Sequence, residues 1–207
     1  MDKIDFKQRD RAFYTGKSGR WDRLTLPEMT FLAIEGQGDP NGPDYAVAVG
    51  ALYPLAYGIK FAEKAEGRDF VVPPLEALWW ADDQGAFVAG DRAAWRWRAM
   101  IRLPDTVDDR SLDAARTAAR RKRKAGPLDA VRLTAFAEGD CLQSLHLGPY
   151  TDEAPVLARL HDEIMLDEGV TFAGPHHEIY LSDPRRAAPE KLRTILRQPV
   201  RPLGPSA

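Results

Sequence analysis

The residues best suited to chemistry lie close together near the C-terminal end of the chain: His176, His177, Glu178 and Tyr180. A carboxylate held among aromatic rings loses solvation and has its pKa raised, so Glu178 can act as a base on water or neutralise a bound cation. An exposed strand glutamate, or one paired with Arg185 or Arg186, accounts for the same residue with no function at all. His176 and His177 are adjacent, so in a strand they point to opposite faces and cannot easily hold one metal ion. His146 and His161 are isolated and no His-Glu-x-x-His pattern occurs, so neither a metal nor a cofactor is expected. His176 shares a face with Glu178 and can tune it.

The aromatic side chains Tyr57, Trp79, Trp80, Trp95, Trp97 and Tyr180 offer flat π faces. Stacking or cation–π contact on such faces is worth about 0.5–2 kcal/mol each. Core packing is the plainer explanation for many of them. Cys141 is the single cysteine, and a small buried apolar residue is expected there rather than a nucleophile. Gly36-Gln-Gly38 lacks the spacing of a phosphate loop and reads as a turn. The basic run from Arg116 to Lys124 suits a helix C-terminus, where cations oppose the helix dipole.

The elements that must position these residues follow from periodicity and punctuation. A strand is expected over 29–35, then a turn-rich loop, then a helix from Asp44 to about Glu66 that Pro54 should kink or split. Strands are expected at 70–81 and 95–103. In the second of these, Trp95, Trp97, Ala99 and Ile101 form a greasy face, and Arg96, Arg98, Met100 and Arg102 a solvated one. A helix over 108–125 ends at Gly126-Pro127, and strands follow at 131–137 and 141–147. A third helix starts at Thr151 with Ala154, Leu157, Leu160, Ile164 and Met165 as its core stripe. Strands at 175–181 and 192–200 close the chain, with a loose Pro-rich tail.

The two halves echo each other. Pro74-Leu-Glu-Ala-Leu-Trp-Trp-Ala-Asp82 overlays Pro175-His-His-Glu-Ile-Tyr-Leu-Ser-Asp183 without a gap, each within a strand–helix–strand–strand order. The overlay matches Trp79 with Tyr180 and places both in a groove between the halves, a common position for a ligand. The 207 residues carry a formal net charge of -2 and are 44% hydrophobic, which is ordinary globular composition with no pull toward nucleic acid or an anionic membrane. The first eleven residues are charged and lack the apolar core of a secretion signal, and no apolar run approaches the ~20 residues that span a bilayer, so a cytoplasmic location is expected.

Taken together, Pro74-Leu-Glu-Ala-Leu-Trp-Trp80, Trp95-Arg-Trp97 with Met100-Ile-Arg-Leu-Pro104, Leu147-Gly-Pro-Tyr150, and His177-Glu-Ile-Tyr-Leu-Ser-Asp-Pro184 with Leu196-Arg-Gln-Pro199 resemble the GyrI-like small-molecule-binding superfamily. The resemblance implies an α+β fold: a duplicated strand–helix–strand–strand module with an antiparallel sheet and a ligand groove. It implies one domain over 1–207, made of an N-terminal extension (1–28), a first repeat (29–104), an inserted helix and strand (105–138) and a second repeat (139–200). Members of that superfamily include effector domains of multidrug-sensing regulators, the gyrase-inhibitor protein, and standalone proteins that hydrolyse strained cyclopropanoid genotoxins or bind dye-like cations.

Only about 28 residues precede the first expected strand, too few for a helix-turn-helix reader of DNA. The chain therefore looks like a standalone member, with a small aromatic or cationic molecule as its partner and no nucleic acid or membrane. The resemblance then implies that Glu178 activates water and that a tyrosine, assigned to Tyr57, hydrogen-bonds a carbonyl oxygen. Trp79, Trp95, Trp97, Tyr180 and His176 would line the ligand. Non-catalytic binding of lipophilic cations is the alternative, and a protein-interaction module the third class.

Overall fold

The computed structural model describes residues 3–83, 90–124 and 126–204. The fold is α+β with antiparallel strand pairing, and the chain forms two compact units. The first comprises Met1–Arg11 and Glu28–Phe136, the second Ala12–Pro27 and Ala137–Ala207. The segment expected as an insertion thus belongs mostly to the first unit, and the N-terminal extension is divided between the two.

In the first unit the central strand is β3 (Arg96–Arg102). It pairs on one side with β1 (Asp22–Gln37), from Phe31↔Arg102 to Gln37↔Arg96. On the other side it pairs with β2 (Leu75–Trp80), from Leu75↔Ile101 to Trp80↔Arg96. The strand expected to begin at Phe70 begins at Leu75 instead, because Pro73 and Pro74 have no N–H to donate to a ladder. Phe70 makes only an isolated bridge to Ile4.

The expected solvated face of β3 is also corrected. Met100 is fully buried and Arg102 nearly so. A short N-terminal helix, α1 (Phe6–Arg9), covers that face. The Arg102 guanidinium lies 4.5 Å from the centre of the Phe6 ring, and its Nη1 is 2.8 Å from Asp10 Oδ2. A buried arginine is tolerable when its charge is paired in this way.

The helix α2 (Pro43–Ala65) starts with proline at its first turn and Asp44 beside it, both favourable at an N-terminus. Pro54 does not split it. The turns on either side are held by burial of Ala51, Leu52, Leu55 and Ala56 against β3 and the neighbouring helix α3 (Asp109–Arg121). By length and composition alone α2 resembles a membrane-crossing helix, as the core helix of a globular fold often does. Its buried face nevertheless packs on protein and includes Glu63, which bonds Arg68 at 2.7 Å.

α3 is capped by Asp108, whose carboxylate accepts from the Ser111 backbone N–H at 2.9 Å, and it buries Leu112, Ala115 and Ala119. The α3 helix ends at Arg121, and Ala125, its expected limit, lies outside the described residues.

Gly36 of β1 allows the Trp97 indole to lie directly on the backbone. A Cβ at Gly36 would fall inside the van der Waals envelope of Trp97 Cη2 and Cζ2. Gly36→Ala is therefore expected to cost about 1–3 kcal/mol in chemical denaturation. A loss below the precision of the measurement would show that Trp97 moves freely.

In the second unit β7 (Arg193–Pro202) is central. β4 (Arg132–Leu147) pairs along one edge, from Cys141↔Pro199 to Leu147↔Arg193. β6 (His176–Tyr180) and the unanticipated β5 (Val170–Phe172) pair along the other. The two strands expected at 131–137 and 141–147 are one, and within it Gly139 takes a φ of 68°, which glycine adopts without strain.

The third helix is broken into a 3₁₀ turn (Tyr150–Asp152), α4 (Ala154–Arg159), a π segment (Leu160–Ile164) and α5 (Met165–Asp167). The wider π turn shifts the helical phase. Of the expected stripe, only Leu160 and Met165 are buried, packed with Leu142, Val170 and Val200. Arg201 and Pro202 of the expected loose tail are in β7, and residues 205–207 lie outside the described range.

Candidate functional site

β6 presents two faces. His177 and Ile179 are fully buried on one, and His176, Glu178 and Tyr180 lie half-buried on the other. The register sets Tyr180 opposite Thr194 and Glu178 opposite Leu196. Tyr150 stands edge-on to Tyr180, with ring centres 5.6 Å apart. Glu153, just before α4, is only 5% exposed, and its Oε1 has no hydrogen-bond partner among the described residues. The nearby Thr194 hydroxyl opposes the rise in the Glu153 pKa, although Thr194 Oγ1 completes no hydrogen bond among the described residues.

The ionisation of these groups follows from crowding and burial. Burial pushes Glu178 up to about 7, against the opposing pull of the Tyr180 hydroxyl and the His177 charge. Burial and then the neighbouring Glu178 carboxylate raise Glu153 further, to about 9. Burial and then the charges of Glu178, Glu153 and Asp183 raise Tyr150 to about 12. Two carboxyls that disfavour each other's ionisation lose their protons in separate steps, so near neutral pH the pair retains a proton.

Both carboxyls are more basic folded than unfolded. Their contribution to stability is complete below about pH 4.5 and is lost as pH rises through 7 and toward 9. Thermal melts from pH 5 to 9 are expected to show a decline of several kcal/mol, smaller in Glu178→Gln, where Glu153 still titrates. A flat wild-type profile would contradict the burial of these charges.

His176 Nε2 is 3.7 Å from Glu178 Oε1, too far for a hydrogen bond. Burial lowers the His176 pKa to about 3, so the imidazole is neutral and the contact is not an ion pair. Neither of its ring nitrogens has a partner among the described residues, and neither does Nε2 of His161. His161 packs edge-on against Phe172, 4.9 Å between ring centres.

On the opposite face of β6 lies a buried network that sequence reasoning missed. His177 Nδ1 is 2.8 Å from Glu138 Oε1, and Arg197 Nη1 donates to Glu138 Oε2 at 2.7 Å. Arg197 also donates to Gln143 Oε1 at 2.8 Å and to the Phe13 carbonyl at 2.6 Å. Glu138 is held down to about 2 by His177 and Arg197 despite its burial. The available signal was Arg197 itself, the one charge in the segment Thr194–Val200. Cys141 is buried and its thiol is pushed up by burial, which makes it a poor nucleophile. Among the described residues no group of three or more potential ligands could hold a metal ion.

The first unit gathers the tryptophans. Trp79 and Trp97 are direct partners across β2 and β3. Tyr45 of α2, not named from sequence, lies 5.4 Å from Trp79 and 5.1 Å from Trp97 between ring centres. Trp95 stands edge-on to Trp79 at 6.2 Å, with the Arg92 guanidinium 5.9 Å from its ring. Trp79 and Trp97 are buried, Trp95 is half-buried, and Trp97 Nε1 has no partner among the described residues. Tyr57 is outside this cluster. It is 46% exposed on α2 and packs against Phe61.

Solved structures of similar proteins share this fold. An uncharacterized conserved protein from Listeria innocua is 43% identical, with a TM-score of 0.89 over 96% of this chain and 100% of its own. A hydrolase from Listeria innocua is 42% identical, with a TM-score of 0.86 over 97% and 100%. The EcmrR C-terminal domain, 12% identical with a TM-score of 0.57 over 89% and 98%, shares the fold. No protein of curated function matches the chain. The model of the GyrI-like small molecule binding domain matches residues 23–201, and the chain belongs to that family.

Proposed function

We propose that this protein is a hydrolase of strained cyclopropanoid electrophiles, with Glu178 as the base that activates water. The observation that carries this reading is the placement of Glu178, its side chain 15% exposed, on one face of β6 with His176 and Tyr180; burial raises its pKa to about 7, which suits a base near neutral pH. The hydrolase from Listeria innocua, 42% identical over nearly the whole of both chains, supports the reaction class.

The chemistry asks little more of the site. Ring strain drives opening, so binding, polarisation and delivery of water suffice. As the C–C bond of the cyclopropane breaks, negative charge develops on a conjugated carbonyl oxygen, and a tyrosine hydroxyl hydrogen-bonds it. We assign that part to Tyr150 rather than Tyr57. Tyr150 shares the electrostatic environment of Glu178 and Glu153, whereas Tyr57 packs on an exposed helix face. Non-catalytic capture of lipophilic cations is the second reading, favoured by the clustering of Tyr45, Trp79, Trp95 and Trp97.

The deciding experiment incubates the protein with a cyclopropanoid model compound and follows the water adduct by mass spectrometry. Catalytic accumulation of adduct supports the hydrolase. Saturable binding of a fluorescent cationic dye with no adduct supports the binder.

A further inference from the structure

The cations that close α3 have no carboxylate to meet. Arg121, Lys122, Arg123 and Lys124 are all exposed, and none of their side chains has an ion pair or hydrogen bond among the described residues. The acids nearby are engaged: Asp113 accepts from Arg116 at 2.6 Å, and Asp129 pairs with Arg120. The whole-chain charge of -2 therefore hides a local excess of positive charge.

Ending the helix does not explain this run. The helix dipole favours cations within the last turn, and Arg123 and Lys124 lie beyond it. Arg123 takes φ 51°, the left-handed conformation that normally falls to glycine or asparagine just past a helix. It is the one residue other than glycine with a positive φ among the described residues. Neutral neighbours with glycine in its place would end α3 with less repulsion and less strain.

The adjoining surface is apolar. No charged residue occurs in α2 from Tyr45 to Ile59. The outer side of this helix exposes Val47 at 53% and Phe61 at 61%, with Tyr57 packed against Phe61. α2 and α3 lie side by side in opposite directions: a Cβ on Gly58 would meet Ala115 Cβ at 3.1 Å, and one on Gly126 would meet Ala51 Cβ at 3.3 Å. The cationic end of α3 thus lies beside the Val47 end of α2, and Lys64 follows Phe61 in the last turn. Apolar side chains bracketed by cations suit a boundary of acyl chains and anionic headgroups. A nucleic acid would leave Val47 and Phe61 in water. Successive positions at a helix end fan around its axis, so mobile headgroups can meet each cation where a protein would need a matching array of fixed carboxylates.

We propose that α2 and the end of α3 form a docking face for an anionic lipid surface. Val47, Tyr57 and Phe61 enter the headgroup layer, and Arg121, Lys122, Arg123 and Lys124 meet lipid phosphates. The attachment is reversible, because each cation contributes only about fivefold in affinity and no segment spans the bilayer. Lipophilic ligands dissolve in the same surface, so docking brings the protein to them.

Co-sedimentation with vesicles tests this, using phosphatidylcholine alone and equal parts of phosphatidylcholine and phosphatidylserine. Binding is expected to the mixed vesicles, not to the neutral ones, and should fall as salt rises. Arg123→Gly should weaken it about fivefold while raising the melting temperature, since glycine relieves the left-handed strain. Lys122→Gln with Lys124→Gln should weaken it about 25-fold. Phe61→Ser should weaken it about tenfold through lost apolar contact. These side chains are exposed, and thermal melts check that each variant is folded. Absence of binding to the mixed vesicles at low salt overturns the proposal. So does binding that Phe61→Ser leaves unchanged, which marks attraction by charge alone. Retention on immobilised polyglutamate with the same dependence on these cations, and none on vesicles, overturns it in favour of an acidic protein partner.

Discussion

Glu178→Gln is expected to reduce the rate of ring opening by about 10²–10⁴-fold while leaving KM close to the wild-type value. Glutamine keeps the size of the side chain and a hydrogen-bonding carbonyl oxygen, so the water and the ligand still find their places. It cannot accept a proton, so the attacking oxygen must become cationic in the transition state. The pH profile carries the sharper signature. Burial pushes Glu178 up to about 7, so wild-type kcat/KM should rise with pH through that region as the carboxyl ionises. In Glu178→Gln that rise should be gone. If the variant turns over at the wild-type rate, another group is the base. If it loses affinity for cationic dyes alone and no turnover exists in either protein, Glu178 is a charge partner and the binder reading is correct.

Removing Arg197 should be the most damaging single change to the fold. Arg197→Met is expected to lower stability by about 3–5 kcal/mol in urea unfolding. Arg197 is 1% exposed and bonds Glu138, Gln143 and the Phe13 carbonyl at once. Its loss strands the Glu138 carboxylate in the interior with His177 as its remaining partner. The damage also releases the chain segment at Ala12–Thr15, because Gln143, oriented by Arg197, holds the Ala12 and Thr15 carbonyls at 2.9 and 2.8 Å.

The double variant Arg197→Met with Glu138→Leu should recover much of the loss, since a whole buried ion pair can be exchanged for apolar volume at little cost. A single-variant loss below 1 kcal/mol would mean that water reaches the network. Because the folded pKa of Glu138 is lowered to about 2, its stabilisation is complete above about pH 4.5 and disappears as pH falls toward 2. Acid unfolding of the wild type should begin there, and Glu138→Leu should remove that component.

Much of the element order was legible because periodicity and punctuation are local. Asp44, the helical spacing through Ile59, and the Gly-Pro stop at 126–127 mark two helices that the structure contains. Strand alternation marked β3 and β6, and the order of strands and helices identified an α+β fold. The phase of the third helix was lost at a π turn, and the strands expected at 131–137 and 141–147 run on as one, β4.

The sequence by itself also singled out Glu178, with His176 and Tyr180 on its face, since residues two apart in a strand must share one. It brought Trp79, Trp95 and Trp97 forward as aromatic faces but offered no means to name Tyr45, which meets them only because α2 lies against that end of β2 and β3. Tertiary structure likewise buried two carboxyls that no local pattern names. Glu153 stands 25 positions from Glu178 in the chain and Glu138 stands 39 positions from His177, and neither spacing carries a period that a single strand or helix could reveal. A pKa depends on which charges and how much water surround a group, and those are properties of packing rather than of neighbours in sequence.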